Sequence, residues 1–233
     1  MSNLLSNLYW DIYSLTYELV DNLPIHREEL IQVSNILREN NPETILDVGC
    51  GTGNLISILS DYLPSTHLYG MDISQSMLKK TAKKVSSKNV KLLRWDIDCG
   101  LPFPNEFFDG ISCIHVLNYL KNPSFVCNEF ARTLKKNGNL VLVSFKDKLS
   151  FWKLKPYHSQ LIKEYSTKDL RGTVKLLPLY FILTLCNLPI RFTTNIKYYD
   201  EKALDKFING NLIKIESKEV FLNESVLVHY KKL

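Results

Sequence analysis

The sequence predicts an α/β protein in which a mostly parallel β-sheet carries helices on both faces. Short apolar segments of strand length alternate with amphipathic segments of helix length from Thr44 to Phe145. A glycine-rich turn joins the first of these strands to the helix after it. Near the end of the chain, two further strand patterns separated by a short turn predict a hairpin that adds one antiparallel strand to the sheet.

The individual elements follow from local patterns. Apolar runs predict five core strands and two hairpin strands, at residues 44–48, 67–71, 90–94, 108–114, 139–145, 212–221 and 225–230. Helical patterns lie at residues 26–39, 54–62, 74–85, 124–134 and 200–208. Ser74 is expected to cap the third of these helices. Because right-handed crossovers bring the carboxyl ends of parallel strands to one edge of the sheet, a binding site is expected at that edge.

Two segments do not fit the alternation and are expected to cover this edge. Residues 1–40 are expected to form a helical lid whose first part carries the aromatic residues Tyr9, Trp10, Tyr13 and Tyr17. Residues 150–193 are aromatic, basic and interrupted by prolines, and are expected to form a cap insertion. The sequence therefore predicts a single domain with a lid (1–40), a core (41–149), the cap insertion (150–193) and a C-terminal helix with a hairpin (194–233).

Composition and charge limit the classes of partner. The chain has 233 residues, of which 45% are hydrophobic, and this suits one soluble domain with a sizeable core. A net charge of +5 allows nucleic acid or an anionic membrane as a partner but does not require either. Six lysines spaced mostly three or four apart predict a solvated helix face running into a loop, namely Lys79, Lys80, Lys83, Lys84, Lys88 and Lys91. No aromatic residues interleave with them, so no nucleic-acid partner is expected.

The cysteines and the apolar segments bear on compartment and metal binding. Five scattered cysteines form no C-x-x-C pair and no Cys/His cluster with zinc spacing, which indicates a reducing cytoplasm and no metal site. The first residues lack the basic and apolar pattern of a secretory signal. The most apolar stretch, Leu176 to Ile190, is too short to span a bilayer comfortably. It allows a buried helix, a cap over a lipophilic acceptor or a peripheral membrane contact.

The most informative stretch is ILDVGCGTGNL, from Ile45 to Leu55. A buried strand enters a G-x-G-x-G turn, and a helix follows. Glycines let the backbone turn sharply and approach a ligand with no Cβ in the way, and the helix N-terminus presents free N–H groups. A glycine-rich turn that binds nothing is the alternative interpretation.

Two acidic residues follow the next strands. Asp72 ends the second strand about twenty residues after the glycines, where a carboxylate can accept hydrogen bonds from both hydroxyls of a nucleoside ribose. Its alternative role is a cap on the following helix, although Ser74 is better placed for that. Asp96 and Ile97 follow the third strand, where they could hold the edge of an adenine. Alternatively, Asp96 and Asp98 form an exposed pair in a loop.

These stretches, together with the WDID and LPFPNEFFD segments and LKKNGNLVLVSF, resemble the successive motifs of class I S-adenosylmethionine (SAM)-dependent methyltransferases. They are most similar to the broad small-molecule family that includes the ubiquinone and menaquinone C-methyltransferases. The resemblance covers about Tyr9 to Phe145 well and the C-terminal hairpin loosely, and it does not extend to residues 150–193. It implies a Rossmann-like methyltransferase fold with a seven-stranded sheet, SAM as cofactor and S-adenosylhomocysteine as product.

The resemblance also implies a role for each matching residue. Asp47 orders the glycine loop, and Gly49 and Gly51 lie against the methionine and ribose portions of SAM. Asp72 binds the ribose hydroxyls. The remaining implied contacts with the cofactor come from Cys50, Ile73, Met77, Asp96, Ile97 and His115, with His115 at the methionine end. Tyr17 and Arg27 close over the cofactor, although Glu18 stands beside Tyr17 where the family usually has Asp.

Methyl transfer from a sulfonium is an in-line displacement in which the leaving sulfur departs neutral, so no general acid is required. A base is needed only when the accepting atom carries a proton that it does not lose by itself. His115 is the base candidate, with a role in shaping the pocket as the alternative, and Tyr157 and His158 of the cap insertion are further candidates.

The sequence therefore predicts a SAM-dependent methyltransferase that acts on a small, largely apolar acceptor. An RNA or protein methyltransferase is one alternative. The stretch after the fourth strand is HVLNYL, which is not an Asn-Pro-Pro-Tyr type of amino-binding motif and argues against that alternative. A protein that binds SAM without transferring its methyl group is the other alternative.

Overall fold

The computed structural model describes Trp10, Ser14 and residues 24–85, 87–147, 196–209, 211–221 and 223–233. The sequence-based expectations for Tyr9, Tyr13, Tyr17, Tyr157, His158 and the cap insertion lie outside the described residues.

Seven strands form one sheet in the order β3-β2-β1-β4-β5-β7-β6. Their bounds are β1 Thr44–Val48, β2 His67–Asp72, β3 Val90–Arg94, β4 Phe108–Ile114, β5 Leu134–Phe145, β6 Leu212–Val220 and β7 Ser225–Lys232. The pairings from β3 through β5 are parallel, and β7 lies antiparallel to both β5 and β6. The predicted parallel sheet with one antiparallel strand is therefore confirmed.

Five α-helices are described, with bounds α1 Pro24–Leu37, α2 Asn54–Tyr62, α3 Gln75–Lys84, α4 Pro123–Thr133 and α5 Glu201–Asp205. One apolar cluster packs α1, α2 and α3 against one face of the sheet, and a second packs α4 and α5 against the other. Strand β5 shows the alternation directly, since Leu140 and Leu142 belong to one cluster and Val141 and Val143 to the other. Helices on both faces are thus confirmed.

The structure corrects several predicted boundaries. Strand β5 begins at Leu134, not at 139, because Leu134 pairs with Phe108 on β4. The expected entry turn at Asn137 and Gly138 is an irregularity inside β5, where the pairing jumps to Gly110 with Asn139. Helix α1 begins at Pro24 and ends at Leu37 instead of spanning 26–39, and α5 ends at Asp205 instead of 208.

The fold places the carboxyl ends of β1 and β4 side by side at the centre of the sheet. The chain order reverses between these two strands, with β2 and β3 on one side and β5 on the other. In open α/β sheets such a switch point leaves a crevice for ligands outside the strand ends. The glycine loop follows β1 and His115 follows β4, whereas Asp72 ends β2 and Asp96 follows β3.

Candidate active site

The glycine loop follows β1 and is held in a conformation that needs glycine. Gly49, Gly51 and Gly53 have φ angles of 69°, 53° and 79°, which are left-handed values that other residues adopt at a cost. The backbone N–H groups of Gly49 and Cys50 donate to the Met71 carbonyl oxygen at 2.7 and 3.0 Å. A Cβ at Gly49 would lie 2.2 Å from Cγ2 of Val116. The loop is therefore a tight cradle pressed against the segment after β4.

Asp72 lies at the end of β2 and holds two backbone groups at once. Its Oδ2 accepts a hydrogen bond from the Gly51 N–H at 3.0 Å, and its Oδ1 accepts one from the Ser74 N–H at 2.8 Å. Ser74, and not Asp72, caps α3, because the Ser74 hydroxyl accepts from the Met77 N–H at 3.1 Å. A carboxylate has about four lone-pair positions. Asp72 thus positions the glycine loop with acceptor-only oxygens, the type of group that hydroxyl donors need.

Asp96 caps a short 3₁₀ helix, Ile97–Cys99, and accepts from the Asp98 N–H at 3.1 Å. Asp98 in turn accepts from the Lys121 N–H at 3.1 Å, beyond the end of β4. The side chain of Ile97 is buried in the core, whereas Ile73, next to Asp72, is half-buried. Both acidic residues thus stabilise the loop after β3.

Asp47 is buried and paired with a hydroxyl. Its Oδ1 accepts from the Ser112 hydroxyl on β4 at 2.8 Å. Burial raises the pKa of Asp47 to about 7, with an opposing effect from the Ser112 hydrogen bond and a further increase from the charge of Asp72. Among the described residues, the glycine loop donates hydrogen bonds to the Met71 carbonyl oxygen and to Asp72, and its Gly51 carbonyl oxygen accepts one from the Thr81 hydroxyl at 2.8 Å.

Cys50 and Met77 are both buried in the protein interior. The Cys50 side chain packs in the apolar cluster that covers α1, α2 and α3, and burial raises the pKa of its thiol well above the usual value. Both side chains therefore face the core. Cys50 and Met77 can contact a ligand through their backbone groups.

His115 is the first residue after β4 and has a left-handed φ of 57°. Its ring stacks on Phe145 with a centroid distance of 3.9 Å and an angle of 13°, and Phe221 lies edge-on at 6.1 Å. Its backbone N–H donates to the Val143 carbonyl oxygen at 2.8 Å. The imidazole is thus fixed between aromatic rings at the carboxyl end of the sheet.

Sequence reasoning missed the partner of this imidazole. Oε1 of Glu29 on α1 lies 2.9 Å from Nε2 of His115, and Oε2 lies 3.8 Å from Nδ1 of His26. Burial alone would raise the pKa of Glu29, but the charge and the hydrogen-bonding contact of His115, followed by the contact and the charge of His26, lower it to about 2. Arg27, expected to close over the cofactor, faces solvent on the same helix. A charged residue on the apolar stripe of α1 was the available signal, since Leu30, Val33 and Ile36 are buried with Glu29.

The two described residues that precede α1, Trp10 and Ser14, contact opposite sides of this edge. Trp10 packs edge-on against Tyr119, beyond the end of β4, with a centroid distance of 4.9 Å. The backbone carbonyl of Ser14 accepts a hydrogen bond from Lys80 on α3. Trp10 thus lies on the β4 side of the edge and Ser14 on the α3 side.

The cap insertion leaves and rejoins the core beside His115. We call residues 145–147 and 196–199 the insertion stem. The Tyr199 N–H donates to the Phe145 carbonyl oxygen at 2.9 Å, and Phe145 is the residue on which His115 stacks. Asn118 joins the stem to the segment after β4, because its side-chain amide donates to the Lys197 carbonyl oxygen at 2.6 Å. Both parts of the insertion stem are thus held beside His115.

Within the described residues, no group of three or more His, Cys, Asp or Glu side chains could hold a metal ion. In the same part of the chain, no helix has both the length and the apolar character needed to cross a bilayer.

Comparison with known proteins accounts for this arrangement. Residues 46–142 match the family model described as a methyltransferase domain, and this range holds the glycine loop, Asp72, Asp96 and His115. The core of this chain is therefore similar to class I, SAM-dependent methyltransferase domains. The cradle without Cβ atoms and the carboxylate of Asp72 fit SAM, whose ribose hydroxyls donate and whose methionine part needs close backbone approach.

The curated relatives differ in what their names say they methylate. Demethylmenaquinone methyltransferase of Porphyromonas gingivalis is 31% identical over 48% of each chain. Phosphatidylethanolamine N-methyltransferase of Cereibacter sphaeroides is 29% identical over 58% of this chain and 64% of that protein. An 18S rRNA (guanine-N(7))-methyltransferase of Schizosaccharomyces pombe is 33% identical over 48% of this chain and 40% of that protein. The chain thus matches about half the length of several of these relatives.

Solved structures share the fold over nearly the whole chain. A Haloferax volcanii putative methyltransferase, solved in complex with the Trm112 methyltransferase activator, has a TM-score of 0.67 at 14% identity and covers 96% of this chain and 97% of its own. The N-methyltransferase NodS of Bradyrhizobium japonicum in complex with S-adenosylhomocysteine has a TM-score of 0.60 at 17% identity and covers 91% of this chain and 90% of its own. At these identities the likeness shows the Rossmann-like methyltransferase fold.

Proposed function

We propose that this protein transfers a methyl group from SAM to a small, largely apolar acceptor. The observation that carries the proposal is the convergence of three features at one edge of the sheet. These features are the glycine loop held by Asp72, the imidazole of His115 between Phe145 and Phe221, and the contacts of Trp10 and of the insertion stem at that edge. The first feature suits the cofactor, and the other two suit an enclosed apolar acceptor.

The proposed cofactor contacts follow the strand ends. Backbone of the glycine loop lies against the methionine and ribose portions, Asp72 accepts from the ribose hydroxyls, and the half-buried Ile73 packs on the adenine. Asp96 and the backbone at Ile97 hold the adenine edge, and Tyr17 of the lid closes over the cofactor. Arg27 lies on the solvent-exposed side of α1, so it would reach the cofactor only if that side of the helix faced the cofactor.

SAM supplies an activated methyl group on a positively charged sulfur. The residues of this chain then align the accepting atom with that methyl group and exclude water from it. Phe145 and Phe221 provide apolar walls on two sides of His115, and we propose His115 as the base for an acceptor that carries a proton. No metal is needed for this chemistry.

We also propose that the whole chain works as one domain in the cytoplasm. The lid (1–40), the core (41–149), the cap insertion (150–193) and the C-terminal part (194–233) form a single unit that contacts membranes at most peripherally. The lid and cap then determine which acceptor binds, and the core determines the cofactor.

A comparison of acceptors tests the class of substrate. The full chain is incubated with SAM and, separately, with reduced demethylmenaquinone, with vesicles of phosphatidylethanolamine and with ribosomal RNA, and S-adenosylhomocysteine release is measured. We expect release with the small quinol and none with RNA, because RNA cannot enter a site closed by a lid and a cap. Release with RNA alone would refute the proposal, and tight SAM binding without release in any arm would favour a SAM-binding protein.

Replacement of Asp72 tests the cofactor site. Asp72→Ala removes two charge-assisted hydrogen bonds to the ribose, each worth roughly 1.5–3 kcal/mol, so the affinity for S-adenosylhomocysteine should fall at least about tenfold. Calorimetry on the folded variant measures this affinity. Asp61→Ala, at an exposed position on α2, is the matched control and should bind normally. Unchanged affinity in Asp72→Ala would remove the basis for the ribose assignment.

A further inference from the structure

A buried carboxylate faces the imidazole at the candidate site from a helix outside the sheet. Oε1 of Glu29 lies 2.9 Å from Nε2 of His115, and the side chains of the two residues are 0% and 14% exposed. A carboxylate without solvent is costly unless a positive or donating group faces it. The position of Glu29 on the buried stripe of α1 therefore needs an explanation beyond packing.

The buried polar atoms of Glu29 and His115 lack well-aligned hydrogen bonds within the described part of the chain. Among the described residues, neither ring nitrogen of His115 and neither carboxylate oxygen of Glu29 has an aligned hydrogen bond, although all four atoms are buried. The Nε2 contact has the distance of a hydrogen bond, and a small rotation about the soft terminal torsion of either side chain would align it. Nδ1 has no such neighbour. It is a buried acceptor or donor without a partner, which native proteins seldom keep without a function.

We propose that Glu29 is a positioning residue that holds the proton of His115 on Nε2, so that Nδ1 accepts the proton of the methyl acceptor. This inference rests on the proposed function and deepens it. It assigns the acceptor to a chemical class: a small apolar molecule whose methylated atom is a hydroxyl oxygen. A hydroxyl is the group that both supplies a proton to Nδ1 and needs a base to become a good nucleophile near neutral pH.

The proposed step balances in atoms and electrons. The O–H proton of the acceptor moves to Nδ1, and an oxygen lone pair forms the new bond to the methyl carbon. The electron pair of the breaking carbon–sulfur bond stays on sulfur, which leaves neutral. The ring then carries both protons, and the Glu29 carboxylate neutralises its charge until Nδ1 releases the proton to water.

The surroundings of the ring leave Glu29 as its nearest charged neighbour. Within the described residues, α1 contributes Glu29 and His26, whereas β5 and the turn after β6 contribute the uncharged rings of Phe145 and Phe221. His26 contacts the other carboxylate oxygen at 3.8 Å. Glu29 thus connects two imidazoles, and its shorter contact is with His115.

Nitrogen NMR on the full chain tests the first half of the proposal. In protein labelled with ¹⁵N-histidine, the resonances of His115 are identified by their loss in His115→Gln. We expect a downfield ring N–H proton on Nε2 that exchanges slowly with water, because a buried carboxylate accepts it. The signal should move upfield and exchange at least about tenfold faster in Glu29→Gln, where a neutral amide replaces the carboxylate, and Glu29→Asp should restore part of it.

Glu28→Gln provides the matched control, because Glu28 is the neighbouring acidic residue on the exposed side of α1. It should leave the signal unchanged. A wild-type protein without this signal, or a Glu29→Gln protein that keeps it unaltered, would overturn the assignment of Glu29. If Glu29→Gln does not fold, the comparison of Glu29→Asp with Glu28→Gln decides the same question.

A pair of probes tests the second half of the proposal, namely that Nδ1 of His115 accepts the proton of the methyl acceptor. Saturating 2-naphthol is added to the complex with S-adenosylhomocysteine, and naphthalene, which lacks the hydroxyl, is added in parallel. We expect the Nδ1 resonance of His115 to shift with naphthol and not with naphthalene. Equal effects of the two probes, or no shift with either, would overturn the role of Nδ1. Failure to bind S-adenosylhomocysteine would instead refute the proposed function, because the Nε2 signal can be read in the free protein.

Discussion

Two buried carboxylates at the candidate site have opposite ionisation behaviour. Glu29 faces imidazole groups, and despite its burial their charge lowers its pKa to about 2. Asp47 faces a hydroxyl and lies near the negative charge of Asp72, so burial raises its pKa to about 7. The difference lies in the charge of the partner, since both groups are removed from water to a similar extent.

The raised pKa of Asp47 leads to a stability prediction. The pKa of Asp47 in the folded protein lies above its usual value of 3.8, so ionisation of this carboxyl group opposes folding. The contribution of Asp47 to stability is therefore greatest below pH 3.8 and is lost as the pH rises through about 7. Asp47→Asn removes this loss because it cannot ionise. At pH 7 we expect an increase in the free energy of unfolding on the order of 2–4 kcal/mol.

Urea unfolding of both proteins below and above pH 7 measures this effect. Asp61→Asn, at an exposed position, is the control and should follow the wild-type curve at every pH. If Asp47→Asn loses stability with rising pH as steeply as the wild type does, Asp47 is not the residue responsible.

Residues that follow strand ends were predictable because their positions depend on local sequence. The glycine loop, Asp72 and His115 each come directly after a strand whose apolar pattern is clear, and the structure places all three at one edge. Glu29 was missed because its contact with His115 joins two distant parts of the chain. Arg27 and Glu29 are two positions apart, and the rotation of about 100° per residue in a helix puts them on different faces.

At the scale of elements, the central residues of helices and strands were predictable from the sequence, and some of the first and last residues were not. Helix α2 has the predicted bounds because the glycine loop precedes it and Pro64 follows closely. The start of β5 was wrong because it depends on the pairing of Leu134 with Phe108, a contact between neighbouring strands that no local pattern reports. A strand boundary that depends on pairing with another strand cannot be predicted from the local sequence of that strand alone.

The turn between β1 and α2 gives a prediction at this scale. In Gly49→Ala, a side chain would adopt a left-handed φ of 69° and approach Cγ2 of Val116 to 2.2 Å. The backbone strain costs roughly 1–2 kcal/mol and the overpacking roughly 1–3 kcal/mol. We expect a loss of at least about 2 kcal/mol in the free energy of unfolding, and a loss of affinity for S-adenosylhomocysteine of at least about tenfold.

Thermal unfolding and calorimetry measure the two effects. The double variant Gly49→Ala/Val116→Ala separates them, because it relieves the steric overlap and leaves the backbone strain. Val116→Ala alone is the reference for the double variant. A Gly49→Ala protein with wild-type stability and affinity would show that the turn is not held as tightly as the geometry indicates.

At the scale of the whole molecule, the fold class, the sheet with one antiparallel strand and the cofactor were predictable from sequence. The identity of the acceptor was not, because no motif in the lid or the cap insertion specifies it. The curated relatives are similar to about half of this chain, while the molecules in their names range from a quinone to a phospholipid and an rRNA.

Removal of the cap insertion tests this division. Residues 148–195 are replaced by a short Gly/Ser linker, which the stem allows because the Tyr199 N–H and the Phe145 carbonyl oxygen are 2.9 Å apart. We expect the shortened chain to fold and to bind S-adenosylhomocysteine within about threefold of the full chain, because the core contacts are retained. Release of S-adenosylhomocysteine with reduced demethylmenaquinone should be lost.

Circular dichroism and calorimetry check folding and binding of the shortened chain, and the turnover assay checks the loss. A linker of the same composition inserted between Asp61 and Tyr62, at the exposed end of α2, is the control for chain manipulation. Turnover by the shortened chain at the full rate would show that the insertion does not enclose the acceptor.

The insertion stem has a consequence for how such a protein can change through evolution. Because Phe145 and Tyr199 are hydrogen-bonded, and Asn118 holds Lys197 beside them, the intervening chain begins and ends at nearly one point. The entropy of closing a flexible loop grows only with the logarithm of its length, so doubling the length costs about 0.6 kcal/mol. Mutations, insertions and deletions can therefore accumulate between these two points while β5 and β7 keep their register. One cofactor-binding core can in this way be inherited unchanged by descendants that methylate different molecules.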